Sequence, residues 1–479
     1  MKKTLFILFC CLFLASLCHG DQSVTITKVD PGGKCGSYYE VTLDFGGDDS
    51  YQAHYTMGQK YAQAILETYH DGDYEQSISA YFRYYVAYFN LNGLFYKDFM
   101  SRVSDLIEKF DSPDDEFYLY GAEIKGMASV IDSRENGYAF WDILTFFLLP
   151  ENQLSFKELF LVNMISDVFS NTGCTSVSAW GSLTPDEDPA VKGCPIVGKN
   201  TDFPVGLTLE GELGKISSMH AVHYFKNQGS KKDMISIGFL GCLLLSEKGV
   251  NEDGLFLAEN ITPYITGDDY YESKGKDSIS GVMRHCLENF HSADESAGYF
   301  LDGKSFTHGN VVTLVDPSEA KLVENSYLGS YIREYDSTLR SGPTGIITNE
   351  DTTPPEEWDY QKFSGPVLAA TNSFQLPDQP YNHINTSKYR ISTIESMVMA
   401  MDNDGVLTED ELMEIMSQGE RLGGQDNIFR TDLSSTLQST IYNSGKRTIK
   451  IHFAPCPFVV KKPDIPDYID LNIGFIGEP

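Results

Sequence analysis

The chain has 479 residues and a mass of 53.5 kDa. Its 41% hydrophobic, 13% aromatic and 22% charged residues exclude disorder, collagen and coiled coil as overall classes. Against 68 Asp and Glu stand 36 Lys and Arg, a formal charge of −32. No basic stretch interrupts that acidity, which makes nucleic acid and anionic membrane surfaces poor partners. A pI near 4.6 suits solubility in a mildly acidic or extracellular space.

Lys2-Lys3, an apolar run from Thr4 to Leu17 and Cys18-His19-Gly20 read as a secretory signal peptide cut near Gly20. A membrane anchor needs about 20 apolar residues, so no stable anchor is expected. The expected destination is secreted, periplasmic or lysosome-like. Cys10, Cys11 and Cys18 go with the leader, which leaves Cys35, Cys174, Cys194, Cys242, Cys286 and Cys456. They are scattered and form no C-x-x-C pair, so a zinc site or a thioredoxin-type motif is unsupported.

Alternation between Ser23 and Asp44 predicts two strands around Gly32-Gly33. Apolar spacing of three and four predicts helices over Tyr55–Tyr69, Leu91–Phe110 and Leu154–Phe169, the last with a Ser155/Glu158 capping box. The texture then changes. Short strands are predicted at Cys174–Trp180, Pro195–Lys199, Ile216–Tyr224, Met234–Leu245, Leu255–Asn260, Val311–Val315 and Lys321–Glu324. Helices return at Ser278–Phe290, Ser387–Met401 and Thr408–Met416 before a closing strand at Thr448–Phe453. The mixture indicates an α+β or layered architecture. Ser341–Glu357 reads as a loop.

Asn171-Thr172-Gly173-Cys174-Thr175-Ser176 is followed 24 residues later by Gly198-Lys199-Asn200-Thr201-Asp202-Phe203. A lone cysteine entering a strand is usually a buried core thiol. Here its company matters. The two motifs resemble the nucleophile strand and the following hairpin strand of cysteine Ntn hydrolases that act on linear amides: penicillin acyltransferase-like (peptidase C45) enzymes, choloylglycine hydrolases and acid ceramidase-type amidases. Gly126-Met127-Ala128, Leu149-Pro150-Glu151 and Phe156–Asn163 look like that family's helical pro-region. Gly249-Val250-Asn251-Glu252-Asp253-Gly254-Leu255, leading to Glu259-Asn260, and Ala370-Thr371-Asn372 look like its later motifs. The resemblance covers roughly Tyr120 to Pro455.

It implies an αββα four-layer sandwich with an N-terminal helical pro-region, and a division into a signal peptide (1–20), an α fragment (21–173) and a catalytic fragment (174–479). The two fragments, roughly 17 and 34 kDa, are expected to stay associated. The implied reaction is hydrolysis, or transfer to another acceptor, of the acyl group of a small-molecule amide through a thioester on Cys174. No cofactor or metal is implied. The chemistry is intelligible from the residues themselves. Cutting between Gly173 and Cys174 creates an α-amino group with an ordinary pKa of about 7.7–8.0. Nucleophile and base then sit on one residue, and the same sulfur can make the cut by attacking the Gly173 carbonyl.

By resemblance Asp202 orients that amino group, and Asn260 and Asn372 donate amide N–H groups to the developing oxyanion, each such donor being worth about 3–4 kcal/mol. Lys199 and Asn200 support the site. Lys199 stands where the family commonly has arginine, keeping the charge and losing the planar fork. A further family arginine falls on Lys388 or on Arg390, and the sequence does not choose. Each residue has a plainer reading. Asp202 fits a solvated turn, Asn260 opens the sequon Asn260-Ile261-Thr262, and Asn372 fits a turn cap. Asn385-Thr386-Ser387 is the better glycan candidate.

Asp402-Asn403-Asp404-Gly405 with Glu411 resembles part of a calcium loop, but its leading ligand position is Ala400. Thr408 and Glu411 make a capping box instead. His220, His223, His285, His291 and His308 show no metal spacing. The alternatives are a lipid amidase or phospholipase B-like hydrolase, and a catalytically silent secreted binding protein with Cys174 in a disulfide. An alkylating probe is expected to find Cys174 first if it is a low-pKa nucleophile.

Overall fold

The computed structural model describes residues 20–33, 35–69, 96–131, 156–164, 167, 173–184, 192–204, 217–245, 247–262, 273–326, 328–339, 363, 365–379, 385–401, 406–418, 428–429, 434–454, 466–471 and 473–474. Residues 1–19 of the leader, the loop 341–357, the Asp402–Gly405 segment and Cys456 lie outside them. Gly173 and Cys174 are consecutive in one strand.

Strands β1 (Ser23–Val29) and β2 (Tyr38–Asp44) form the expected hairpin. Helices α1 (Tyr51–Thr68), α2 (Tyr96–Asp111), α3 (Tyr118–Ile131) and α4 (Phe156–Asn163) follow. Next come β3 (Gly173–Ala179), β4 (Ile196–Pro204), β5 (His220–Lys226), β6 (Met234–Phe239), β7 (Lys248–Asn251) and β8 (Phe256–Ile261). Helices α5 (Ile279–Asn289) and α6 (Ala293–Leu301) precede β9 (Asn310–Val315), β10 (Ala320–Ser326), β11 (Gly329–Arg333) and β12 (Val367–Ala370). The chain ends with α7 (Asn385–Met401), α8 (Glu409–Met416), β13 (Ser434–Asn443), β14 (Thr448–Phe453) and β15 (Ile469–Leu471).

Helix starts obey local chemistry. Ser50, Ser278 and Ser292 each accept the backbone N–H three residues on, and the Thr408/Glu411 capping box forms as the sequence predicts. Against the sheet, α1 and α3 cross closely. A Cβ on Gly126 would lie 2.0 Å from the carbonyl oxygen of Tyr55, so only glycine permits this approach.

The architecture is α+β with two sheets. One has the order β1-β2-β5-β6-β7-β8-β9-β10-β11 and the other β12-β3-β4-β13-β14-β15. The first hairpin therefore belongs to the larger sheet, through a parallel pairing of β2 with β5. Residues 21–173 thus carry strands of the main sheet as well as helices.

Three apolar clusters explain why β3, β5, β6, β8, β9 and β10 are buried along almost their whole length. One joins α1–α6 to the larger sheet through residues such as Met57, Phe110, Ile124, Leu43, Phe225 and Leu314. A second holds Val197, Tyr442 and Ile451 of the smaller sheet against Val222, Ile237 and Ala258 of the larger one. The third packs Ile394, Leu412 and Met416 of α7 and α8 on Val177, Ile196 and Ile441. A strand covered on both faces loses the polar alternation of a half-exposed one. Among the described residues no helix is long and apolar enough to cross a membrane.

Candidate active site

Cys174 enters β3 and lies directly opposite Thr201 of β4, while Gly173 faces Asp202. Opposed residues of an antiparallel pair project from the same face. That face looks onto the larger sheet: Ser176 shares a 2.8 Å hydrogen bond with Thr313 of β9, and the Lys199 ammonium reaches the Glu259 carbonyl and the Asn260 side-chain oxygen of β8. The motif glycine that precedes this stretch is also explained, because a Cβ on Gly198 would lie 2.5 Å from Cγ of Met416.

The Cys174 backbone is gripped from the smaller sheet's helical side. Its N–H donates to Oδ1 of Asn372 at 2.9 Å. Arg390 donates through Nη1 to the Cys174 carbonyl and, at 2.6 Å, to the Thr175 hydroxyl, and through Nη2 to the same Asn372 oxygen at 2.7 Å. Of the two candidates for the family arginine, Arg390 is therefore at Cys174; the Lys388 side chain lies outside the described residues. Asn372 also donates to the Ile261 carbonyl at 2.5 Å, which fixes its amide with oxygen toward Cys174. Toward Cys174, Asn372 therefore presents an acceptor, and its amide N–H is turned to Ile261. Asn260 suits the donor role better, since Lys199 occupies its oxygen and its Nδ2 points to Ser176 at 3.4 Å. Asn260 is fully buried, which leaves no room for a glycan in the folded chain.

Asp202 is buried and accepts from the Thr436 hydroxyl at 2.6 Å, so it is no solvated turn residue. Its backbone N–H reaches the Cys174 sulfur and favours the thiolate. Asn200 lies on the opposite face of β4 from Lys199 and Thr201. There its amide donates to the carbonyls of Met416 at 2.8 Å and Ile428 at 2.9 Å. It ties β4 to the α8 side of the sheet and does not line the site. Alternation along β4 carried that signal, because Lys199 and Thr201 cannot share a face with Asn200.

The thiol of Cys174 is free and 1% exposed. Burial pushes its pKa up, with the positive charge of Lys199 pulling it down and the negative charges of Glu247 and Asp202 adding to the rise. The Cys174 thiol is thus held above its ordinary pKa, because desolvation outweighs the pull of the nearby cation Lys199.

Sequence reasoning missed Glu247 and Lys248. Both are buried beneath Thr201: its hydroxyl donates to Oε2 of Glu247 at 3.0 Å, and Lys248 Nζ donates to that hydroxyl at 3.1 Å and to Gln438 at 3.0 Å. A β-bulge in β13 between Thr436 and Gln438, opposite Asp202 and Thr201, aims Gln438 at this group. No cluster of metal-ligating side chains occurs among the described residues. A small, shallow cleft lies beside β11 and β12, lined by residues such as Arg333, Tyr335, Phe363, Leu368 and Ile391.

No family model matches the chain, and no curated protein matches it. Solved structures do. A mutant of the conjugated bile acid hydrolase from Clostridium perfringens is 13% identical, covering 64% of this chain and 95% of that one with a TM-score of 0.36. A second variant of that enzyme is 12% identical over 64% and 95%, with a TM-score of 0.35. Penicillin V acylase from Agrobacterium tumefaciens is 12% identical over 59% and 83%, with a TM-score of 0.28.

Proposed function

We propose that this chain is a self-processing amide hydrolase whose nucleophile is the sulfur of Cys174, made N-terminal by cleavage of the Gly173–Cys174 bond. One observation carries the reading: the nitrogen that would become the α-amine is already held, by Asn372 Oδ1 at 2.9 Å, and Arg390 clamps that same oxygen and the Cys174 carbonyl. After cleavage the same acceptor engages one N–H of the amine and leaves the lone pair available to take the thiol proton.

Catalysis then runs in two halves. The thiolate attacks the carbonyl carbon of a bound amide, Asn260 offers its N–H to the oxyanion, and the leaving nitrogen takes the proton stored on the α-amine. Water, activated by that amine, hydrolyses the thioester; a competing acceptor would instead receive the acyl group. Asp202 and Arg390 hold Cys174 in place throughout.

We read the helices, two sheets and α7/α8 pair as an αββα four-layer sandwich, a reading favoured by the three apolar interfaces. Residues 1–20 form a cleaved leader in this account, 21–173 the α fragment and 174–479 the catalytic fragment, with the product in a secreted, periplasmic or lysosome-like compartment. The fragments stay together, since β1 and β2 complete the larger sheet. The test is a reducing denaturing gel. Wild type gives two bands and Cys174→Ala a single uncut chain; an intact wild type that still hydrolyses amides overturns the mechanism.

A further inference from the structure

The α-amine serves as base only after the chain is cut, so the first cleavage must pass the thiol proton to something else. This question rests on the self-cleavage reading above, and the interior beneath Cys174 supplies an answer.

Thr201 shares a face with Cys174 as its direct cross-strand partner. Its hydroxyl already donates to Oε2 of Glu247 at 3.0 Å and accepts from Lys248 Nζ at 3.1 Å. One hydroxyl lone pair therefore remains, and Thr201 projects from the same face of the hairpin as Cys174. Lys248 is anchored a second time on Gln438 at 3.0 Å, and Gln438 donates in turn to the Gly238 carbonyl at 3.0 Å. All of these side chains are buried. A carboxylate and an amine buried between two sheets are costly to place.

We propose that Thr201 relays the Cys174 thiol proton to Glu247 during the first cleavage, with Lys248 holding the hydroxyl in register. The hydroxyl takes the thiol proton as it passes its own to the carboxylate. The thiolate forms a bond to the Gly173 carbonyl carbon, and the C–N bond to Cys174 breaks. The proton returns along the same path to the departing nitrogen, giving the α-amine and a Gly173 thioester, which water hydrolyses to a carboxylate and the free thiol. Burial raises the Glu247 pKa and lowers that of Lys248, each opposed by the other's charge and by Lys199 or Asp202, so the carboxylate is a better proton acceptor than an exposed one.

The experiment follows the full chain made by cell-free synthesis, with release of the 174–479 fragment timed on a denaturing gel. Thr201→Val keeps the shape and removes the hydroxyl; Glu247→Gln keeps a hydrogen-bond acceptor that cannot take the proton. Each variant is expected to slow release at least tenfold more than it slows iodoacetamide labelling of Cys174 in chains already cut. Melting temperature identifies a variant that fails to fold, in which case the other one decides. Release at the wild-type rate in a folded variant, or an equal slowing of release and labelling, overturns the relay while leaving the Cys174 reading intact. A wild-type chain that never releases the fragment overturns both.

Discussion

Arg390 and Asn372 grip Cys174 as a unit: Nη2 of the arginine donates at 2.7 Å to the very oxygen that accepts the Cys174 N–H at 2.9 Å. The guanidinium also reaches the Cys174 carbonyl and the Thr175 hydroxyl, a spread that needs a planar fork rather than a point charge. Arg390→Lys is therefore expected to slow fragment release about 10²-fold, the scale on which a single misplaced catalytic contact acts. Timed gels of purified chain check this, and release within twofold of wild type contradicts it.

Thiol reactivity is expected to change on cleavage. In the uncut chain desolvation holds the Cys174 pKa up, so iodoacetamide at neutral pH should modify it slowly. Once the α-amine exists, labelling becomes faster, and peptide mass mapping of cut and uncut chains reads the ratio. Equal rates in both forms contradict the account.

A buried charge cluster joins the two prospective fragments. Glu123, from the α fragment, pairs with Arg284 at 2.5 Å and with His54 at 2.6 Å; Arg284 in turn pairs with Glu288 at 2.7 Å, and Lys231 with Glu288 at 2.6 Å. Breaking one partner of a buried pair costs about 3–5 kcal/mol, so Arg284→Met should release the α fragment from cut protein on size-exclusion chromatography. The cluster also sets a pH dependence. Lys231 and Arg284 hold the Glu288 carboxyl down at about 2 against burial, and the same arginine lowers Glu123. Depressed carboxyls contribute stability present above their unfolded pKa of about 4.3 and lost as pH falls toward 2. Fragment association should accordingly survive at pH 5 and weaken below about pH 4.

Asp167 behaves oppositely. It accepts from Ser278 Oγ at 2.9 Å and the Ile279 N–H at 2.5 Å, at the start of α5, yet burial outweighs those bonds and pushes its pKa up to about 7. A raised carboxyl stabilises fully below its unfolded pKa near 4, and that contribution is lost as pH rises through 7. Asp167→Asn, which never ionises, should gain melting temperature relative to wild type as pH rises from 4 to 8. A constant difference across that range contradicts the assignment.

Much of this site is legible in the sequence, for identifiable reasons. The runs that became β3, β4 and β8 are rich in small and β-branched residues with turn signals between them, and Thr408 with Glu411 marks a helix start by local chemistry alone. What escaped notice depends on contacts remote in sequence. Arg390 and Lys388 are equivalent on paper, and only the packing of α7 against β3 selects the arginine. Glu247-Lys248 reads as a polar turn beside Gly249, because nothing local reports that a second sheet covers it. The direction of the Asn372 amide is set by Ile261, 111 residues away. Gly126 shows the same limit. Its need for a bare backbone comes from Tyr55, and Gly126→Ala should cost about 1–3 kcal/mol in denaturant unfolding through that clash.

The most direct test is to sequence the N-termini of the purified protein. The account predicts a terminus reading Cys-Thr-Ser-Val-Ser-Ala from Cys174, alongside one near Asp21, and its disappearance in Cys174→Ala. A protein with a single terminus near Asp21 and the Gly173–Cys174 bond whole in every molecule would contradict it.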